Sequence, residues 1–165
     1  MSDNLETVKH LIKEHRIIRG HVKLAGDSVP DQEALITLKS ARSDWTTDLK
    51  EMLSEQQKKL QQAINFLDEG LTNHFAEEEE ALPALLGGFL MQSLLVEHQE
   101  IRRVLDDTKL VVASTNLAGL SQEELMAKGS EIQQAVNSLR SLIEEHADKE
   151  EVLLEILQRV LADRG

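Results

Sequence analysis

The chain has no cysteine, which rules out disulfides, thiolate zinc sites and cysteine-ligated clusters. Aromatic residues are scarce, with three Phe, one Trp and no Tyr, so any core must be aliphatic. Two prolines and eight glycines leave long stretches without a breaker, which favours long helices over sheets. Basic residues are outnumbered by acidic ones, 18 to 30. The net charge is −12 with histidines neutral, and phosphate contacts need clustered Lys and Arg. Nucleic acid and anionic membrane surfaces are therefore not expected partners. No apolar run approaches the roughly 20 residues needed to span a bilayer. Residues 1–14 are charged and polar, unlike a signal peptide. A cytoplasmic protein is the expectation.

What is present fits one all-α domain over residues 1–165. Leu, Glu, Gln, Ala and Lys dominate, and all are good helix formers. Apolar content of 41% is enough for a core in a chain of 165 residues. Apolar residues recur at helical spacing in four stretches. The first is expected over 3–26, ended by Gly26 and Asp27 with Pro30 beyond. A short extra helix is expected over 31–42, between the first and second bundle helices. The second long helix is expected from Asp44 to about Leu86, with Pro83 and Gly87-Gly88 marking a turn. The third covers about 88–113. The fourth opens at Ser121-Gln122-Glu123-Glu124, a capping box, and continues to about Ala162.

The chain also repeats itself. Glu14-His15-Arg16-Ile17-Ile18-Arg19 on the first helix matches Glu97-His98-Gln99-Glu100-Ile101-Arg102 on the third. Leu67, Leu71, His74, Glu78 and Leu82 align with Leu139, Ile143, His146, Glu150 and Leu154. Two similar helical hairpins predict an up-down-up-down four-helix bundle.

Four of the six histidines have apolar neighbours one turn away on their own helix. His15 sits among Val8, Leu11, Ile12, Ile18 and Val22; His98 among Met91, Leu94, Leu95, Ile101 and Leu105. His74 follows Leu67 and Leu71, and His146 follows Leu139, Leu142 and Ile143. His10 has charged neighbours and faces solvent, while His21 is intermediate. A lone histidine on an apolar face is usually a hydrogen-bonded core residue. One on each of four helices is harder to explain that way. Glu78 and Glu150 lie one turn after His74 and His146 on the same stripes, with Glu77 and Glu151 as alternatives at the preceding and following positions. Burying such a set is costly without mutual pairing or a cation. Imidazole plus carboxylate without thiolate suits iron, manganese or zinc. The Glu-x-x-His pattern of ferritin-like diiron bundles and the zinc-protease pattern His-Glu-x-x-His are both absent.

Taken together these motifs resemble the hemerythrin family, in its bacterial hemerythrin-like cation-binding branch. The residues that carry the resemblance are Glu14-His15, His74-Phe75 with Glu78-Glu79 and Leu82, Glu97-His98, and His146 with Glu150-Glu151. The resemblance implies a non-haem diiron centre. By analogy His15 and His74 would serve one iron, His98 and His146 the other, and Glu78 and Glu150 would bridge. It also implies binding of, or response to, oxygen, nitric oxide or iron. A peroxide- or nitric-oxide-consuming enzyme, and a structural or regulatory bundle with secondary metal binding, are the competing readings. Oxygen-carrying members place a second histidine one turn after the third-helix one, where this chain has Arg102.

Overall fold

In a computed structural model of the protein, which describes residues 2–40, 47–113 and 121–164, the chain is all-α. Its helices are α1 (Ser2–Ser40), α2 (Thr47–Ala81), the single turn α3 (Pro83–Leu86), α4 (Gly88–Ala113) and α5 (Gln122–Arg164). The four long helices form an up-down-up-down bundle. α1 packs on α2 and α5, and α4 packs on the same two. No helix among the described residues is long and apolar enough to cross a membrane.

Local chemistry sets the helix ends that matter for the site. α2 stops at Ala81, and Pro83 begins α3, where a missing N–H costs nothing. Gly87 then takes φ +80, a left-handed conformation that glycine adopts without a Cβ clash, and the chain reverses into α4. α5 opens with the expected capping box. The Ser121 Oγ accepts from the Glu124 N–H at 3.2 Å, and the Glu124 carboxylate accepts from the Ser121 N–H at 3.4 Å. Ser121→Ala is expected to cost about 1 kcal/mol in urea denaturation. An unchanged midpoint would mean the cap contributes nothing.

Two expected boundaries are corrected: the second long helix ends at Ala81, not near Leu86, because the chain breaks before Pro83, and the first helix runs further than expected. α1 does not end at Gly26 and Asp27; it runs through Pro30 to Ser40. The extra segment expected over 31–42 is helical as far as Ser40, but it is the end of α1 and not a separate helix. A proline forfeits one helix hydrogen bond, and the good helix formers that follow it, Gln32, Glu33, Ala34 and Leu35, favour continuing the helix. Gly26 has another use. A Cβ there would lie 3.2 Å from the Arg140 guanidinium, so the glycine admits a side chain of α5. Asp44, the expected cap of the second helix, lies outside the described residues.

The core is divided. One apolar cluster joins Ile18, Val22, Leu60, Ile64, Leu67, Leu71, Phe75, Ile101, Leu105 and Val112 to Ile132, Val136, Leu139 and Ile143. A smaller one joins Val8, Leu11, Leu82, Met91, Leu94 and Leu154 at the end where α1 begins. Between them lies a polar layer.

Candidate metal centre

That layer is made of His15 from α1, His74 and Glu78 from α2, His98 from α4, and His146 and Glu150 from α5. All six are buried, with Glu78, His98 and Glu150 at 0% exposure. Helical periodicity explains why they converge. Each lies on its helix's apolar stripe, one turn or so from residues that enter the two core clusters, so packing those clusters drags all six inward. The six residues singled out from the sequence lie in this layer, and the two alternatives, Glu77 and Glu151, do not.

The geometry is that of two half-sites sharing two carboxylates. The Glu78 Oε1 faces His74 Nε2 and lies 3.1 Å from His15 Nε2, while its Oε2 lies 3.1 Å from His98 Nε2. The Glu150 Oε1 lies 3.1 Å from His15 Nε2, and its Oε2 lies 2.6 Å from His146 Nε2 and 3.8 Å from His98 Nε2. Each carboxylate thus turns one oxygen to the His15–His74 side and the other to the His98–His146 side. His15, His74, Glu78 and Glu150 offer ligand atoms within 4.8 Å of one another, and so do Glu78, His98, His146 and Glu150.

These contacts are close, yet several are not hydrogen bonds. The Nε2 atoms of His74, His98 and His146 and the Oε2 atoms of Glu78 and Glu150 are buried without a hydrogen-bond partner among the described residues. Buried polar atoms left unpaired are expensive. Clustered imidazole nitrogens and carboxylate oxygens left unpaired in the interior are groups that a cation would satisfy. The donor set of imidazoles and carboxylates fits iron, manganese or zinc.

Without metal the groups pair electrostatically. Burial pushes the His15 imidazole down, but Glu150 and Glu78 outweigh it and raise it from 6.5 to about 9. Burial likewise opposes protonation of His98, and Glu150, Glu78 and Glu79 raise it to about 9. Burial also works against His74, where Glu78 and Glu14 lift it above the ordinary value. Burial opposes ionisation of Glu150, but its polar contacts with Glu78, His146, His15 and His98 prevail, holding it well below the usual carboxylate range.

The structure adds carboxylates that sequence reasoning did not assign. Glu14 lies 2.7 Å from His74 Nδ1, Glu97 lies 2.7 Å from His146 Nδ1, and Glu79 lies 3.1 Å from His98 Nδ1. Each accepts from the imidazole edge that faces away from the centre. That fixes the ring's orientation and leaves Nε2 free to serve as a ligand. The Glu-His pairs were visible in the sequence. What was hidden is that Glu14 and Glu97 serve the histidine of the next helix, not their chain neighbours. An outer cation accompanies Glu79 and Glu97: Arg102 at 3.1 Å and Lys149 at 2.8 Å. Glu14 instead meets His10 at 3.2 Å, and His10 also reaches Glu77 at 3.1 Å. His10 is exposed, as its charged neighbours imply, but it is not idle. Glu77, the alternative to Glu78, lies outside the polar layer, and Glu151, the alternative to Glu150, pairs with Arg19.

A helical bundle whose interior carries this paired histidine–carboxylate set is a cation-binding bundle. The chain belongs to the hemerythrin family: the hemerythrin HHE cation-binding domain matches residues 7–157 of its 165. No curated protein and no solved structure matches it.

Proposed function

We propose that the protein is a single hemerythrin-like domain holding two metal ions, iron first among the candidates and manganese or zinc as alternatives. His15 and His74 would hold one ion, His98 and His146 the other, and Glu78 and Glu150 would bridge them. The observation that carries this reading is the division of each carboxylate between the two histidine pairs. A mononuclear site would not need both oxygens of both glutamates turned to opposite sides.

Each ion would have four protein donors. Bound iron would supply open coordination positions for oxygen, nitric oxide or peroxide. The chain's own residues favour a small ligand there. A cavity of about 10 Å³ beside the layer is lined by His15, His74 and His146 together with Ile18, Leu71, Phe75, Ile143 and Ala147. Its walls are mostly apolar, which disfavours large or charged molecules. Binding of, or response to, a diatomic ligand or to iron itself is therefore the function proposed, in the cytoplasm. Turnover of peroxide or nitric oxide would make it an enzyme.

Protein purified from iron-replete cells is expected to carry about two iron atoms per chain, a count that follows from the two buried donor groups. Elemental analysis with a visible spectrum checks this. A preparation free of transition metal would favour the structural-bundle reading.

A further inference from the structure

The two halves of the centre are built from repeated sequence, yet they are not finished alike. In the aligned register Arg102 corresponds to Arg19, Glu79 to Glu151, Phe75 to Ala147 and Ala76 to Asp148. On one side, the Arg102 guanidinium donates to Glu79 at 3.1 Å, and the same Glu79 oxygen lies 3.1 Å from His98 Nδ1. The guanidinium also lies over the Phe75 ring, 5.3 Å from its centroid. Phe75 in turn stacks on His98, with centroids 3.9 Å apart and planes 12° apart. The His98 imidazole is thus held at its edge and on its face, and one arginine backs both contacts.

The other side lacks both restraints. Ala147 stands where Phe75 would be. Arg19 donates to Asp148 at 2.6 Å as well as approaching Glu151 at 3.2 Å, and no acid stands at Ala76 to divert Arg102 in the same way. His15 Nδ1 is buried with no hydrogen-bond partner among the described residues. His15 and Ala147 both line the small cavity beside the layer.

We infer that Arg102 is a positioning residue that locks His98 through Glu79 and Phe75, and that His15 is its unlocked counterpart. The position served by His15 and His74 therefore releases its ion before the position served by His98 and His146. This rests on the two-metal reading above, but the lock itself is a property of the protein without metal. The physical basis is general. An outer partner that orients an imidazole preserves ligand geometry when the ion leaves, and its loss typically weakens metal affinity by about 10–100-fold.

Two measurements test it. First, protein loaded anaerobically with two equivalents of ferrous iron is challenged with a ferrous chelator. The wild type is expected to release iron in two phases, about tenfold or more apart. Arg102→Gln should speed the slow phase by about tenfold or more and leave the fast one alone. Arg102→Lys, which keeps the charge but not the planar fork, should fall between. Arg19→Gln should leave the slow phase unchanged. Release in a single phase from the wild type, or equal acceleration of both phases by Arg102→Gln, overturns the inference while leaving metal binding intact.

Second, histidine-labelled protein without metal is followed by NMR. The His98 Nδ1 proton should be protected from solvent exchange in the wild type. In Arg102→Gln it should exchange about tenfold faster or more, with the His74 and His146 signals unmoved. The melting temperature of the metal-free variant should change little, because half-exposed ion pairs contribute little to stability. An unprotected His98 proton in the wild type, or no response to either Arg102 variant, overturns the lock. A protein that takes up no iron but shows the NMR contrast supports the lock and sinks the two-metal reading.

Discussion

Glu78→Gln is expected to remove most of the bound metal. Glu78 is fully buried and meets His15, His74 and His98 with its two oxygens, so the substitution keeps the shape and deletes a charge shared by both half-sites. Metal binding stabilises a fold by mass action, about 4 kcal/mol when free metal is a thousandfold above its dissociation constant. Most of that increment should vanish in Glu78→Gln, read as the loss of the metal-dependent rise in melting temperature. The metal-free variant should still fold, because both apolar clusters are untouched. Glu80 is exposed, and Glu80→Gln should do almost nothing. Glu77→Gln should cost less metal than Glu78→Gln, because Glu77 meets His10 at the surface. Metal loss from Glu77→Gln with retention by Glu78→Gln would refute the bridging role, and with it that of Glu150.

The second large effect is a loss of metal-free stability with rising pH that bound metal offsets. His15 and His98 rise from 6.5 to about 9 in the metal-free protein, after burial and against it, because Glu150 and Glu78 hold the imidazolium forms. A group raised on folding contributes its full stability below the unfolded value and loses it as pH passes through the folded value. Each histidine therefore contributes about 3 kcal/mol below pH 6.5 that fades by about pH 9. The two contributions overlap, since both imidazoles lean on the same carboxylates. Glu150 acts in the other direction. Its lowered value adds stability above the ordinary carboxylate range, and that stability is lost in acid. The metal-free protein should be most stable between about pH 5 and 6.5 and should soften towards pH 9. Metal must displace the imidazole protons, so the stabilisation it confers should grow over the same interval. Calorimetry at pH 6, 7.5 and 9, with and without iron, reads both trends. A metal-free melting temperature that holds steady or climbs from pH 6.5 to 9 would show that the imidazoles are not held protonated by the glutamates.

Much of the centre was legible because its signal is local. His74 and Glu78, like His146 and Glu150, are one turn apart on an apolar stripe, and the 3.6-residue period alone puts each pair on one face. His15 and His98 declared themselves by apolar neighbours on both sides. The turn at Pro83 and Gly87 and the cap at Ser121 were readable for the same reason, since each depends on a few adjacent residues. The end of the first helix is not legible in this way. Gly26 and Pro30 look like punctuation when only neighbours are weighed, but Gly26 makes room for Arg140 from another helix.

By itself, then, the sequence determined the helical class, the two-hairpin repeat and which side chains turn inward, because periodicity and turn chemistry are properties of short stretches. Only the tertiary structure decided which partner each inward group meets. Glu14 passes over its neighbour His15 to hold His74, and Glu97 passes over His98 to hold His146. Arg19 and Arg102 occupy equivalent places in the repeat, yet one is divided between Asp148 and Glu151 and the other backs Glu79 and Phe75. Those choices depend on the rotation and register of one packed helix against the next, which no spacing along a single helix encodes.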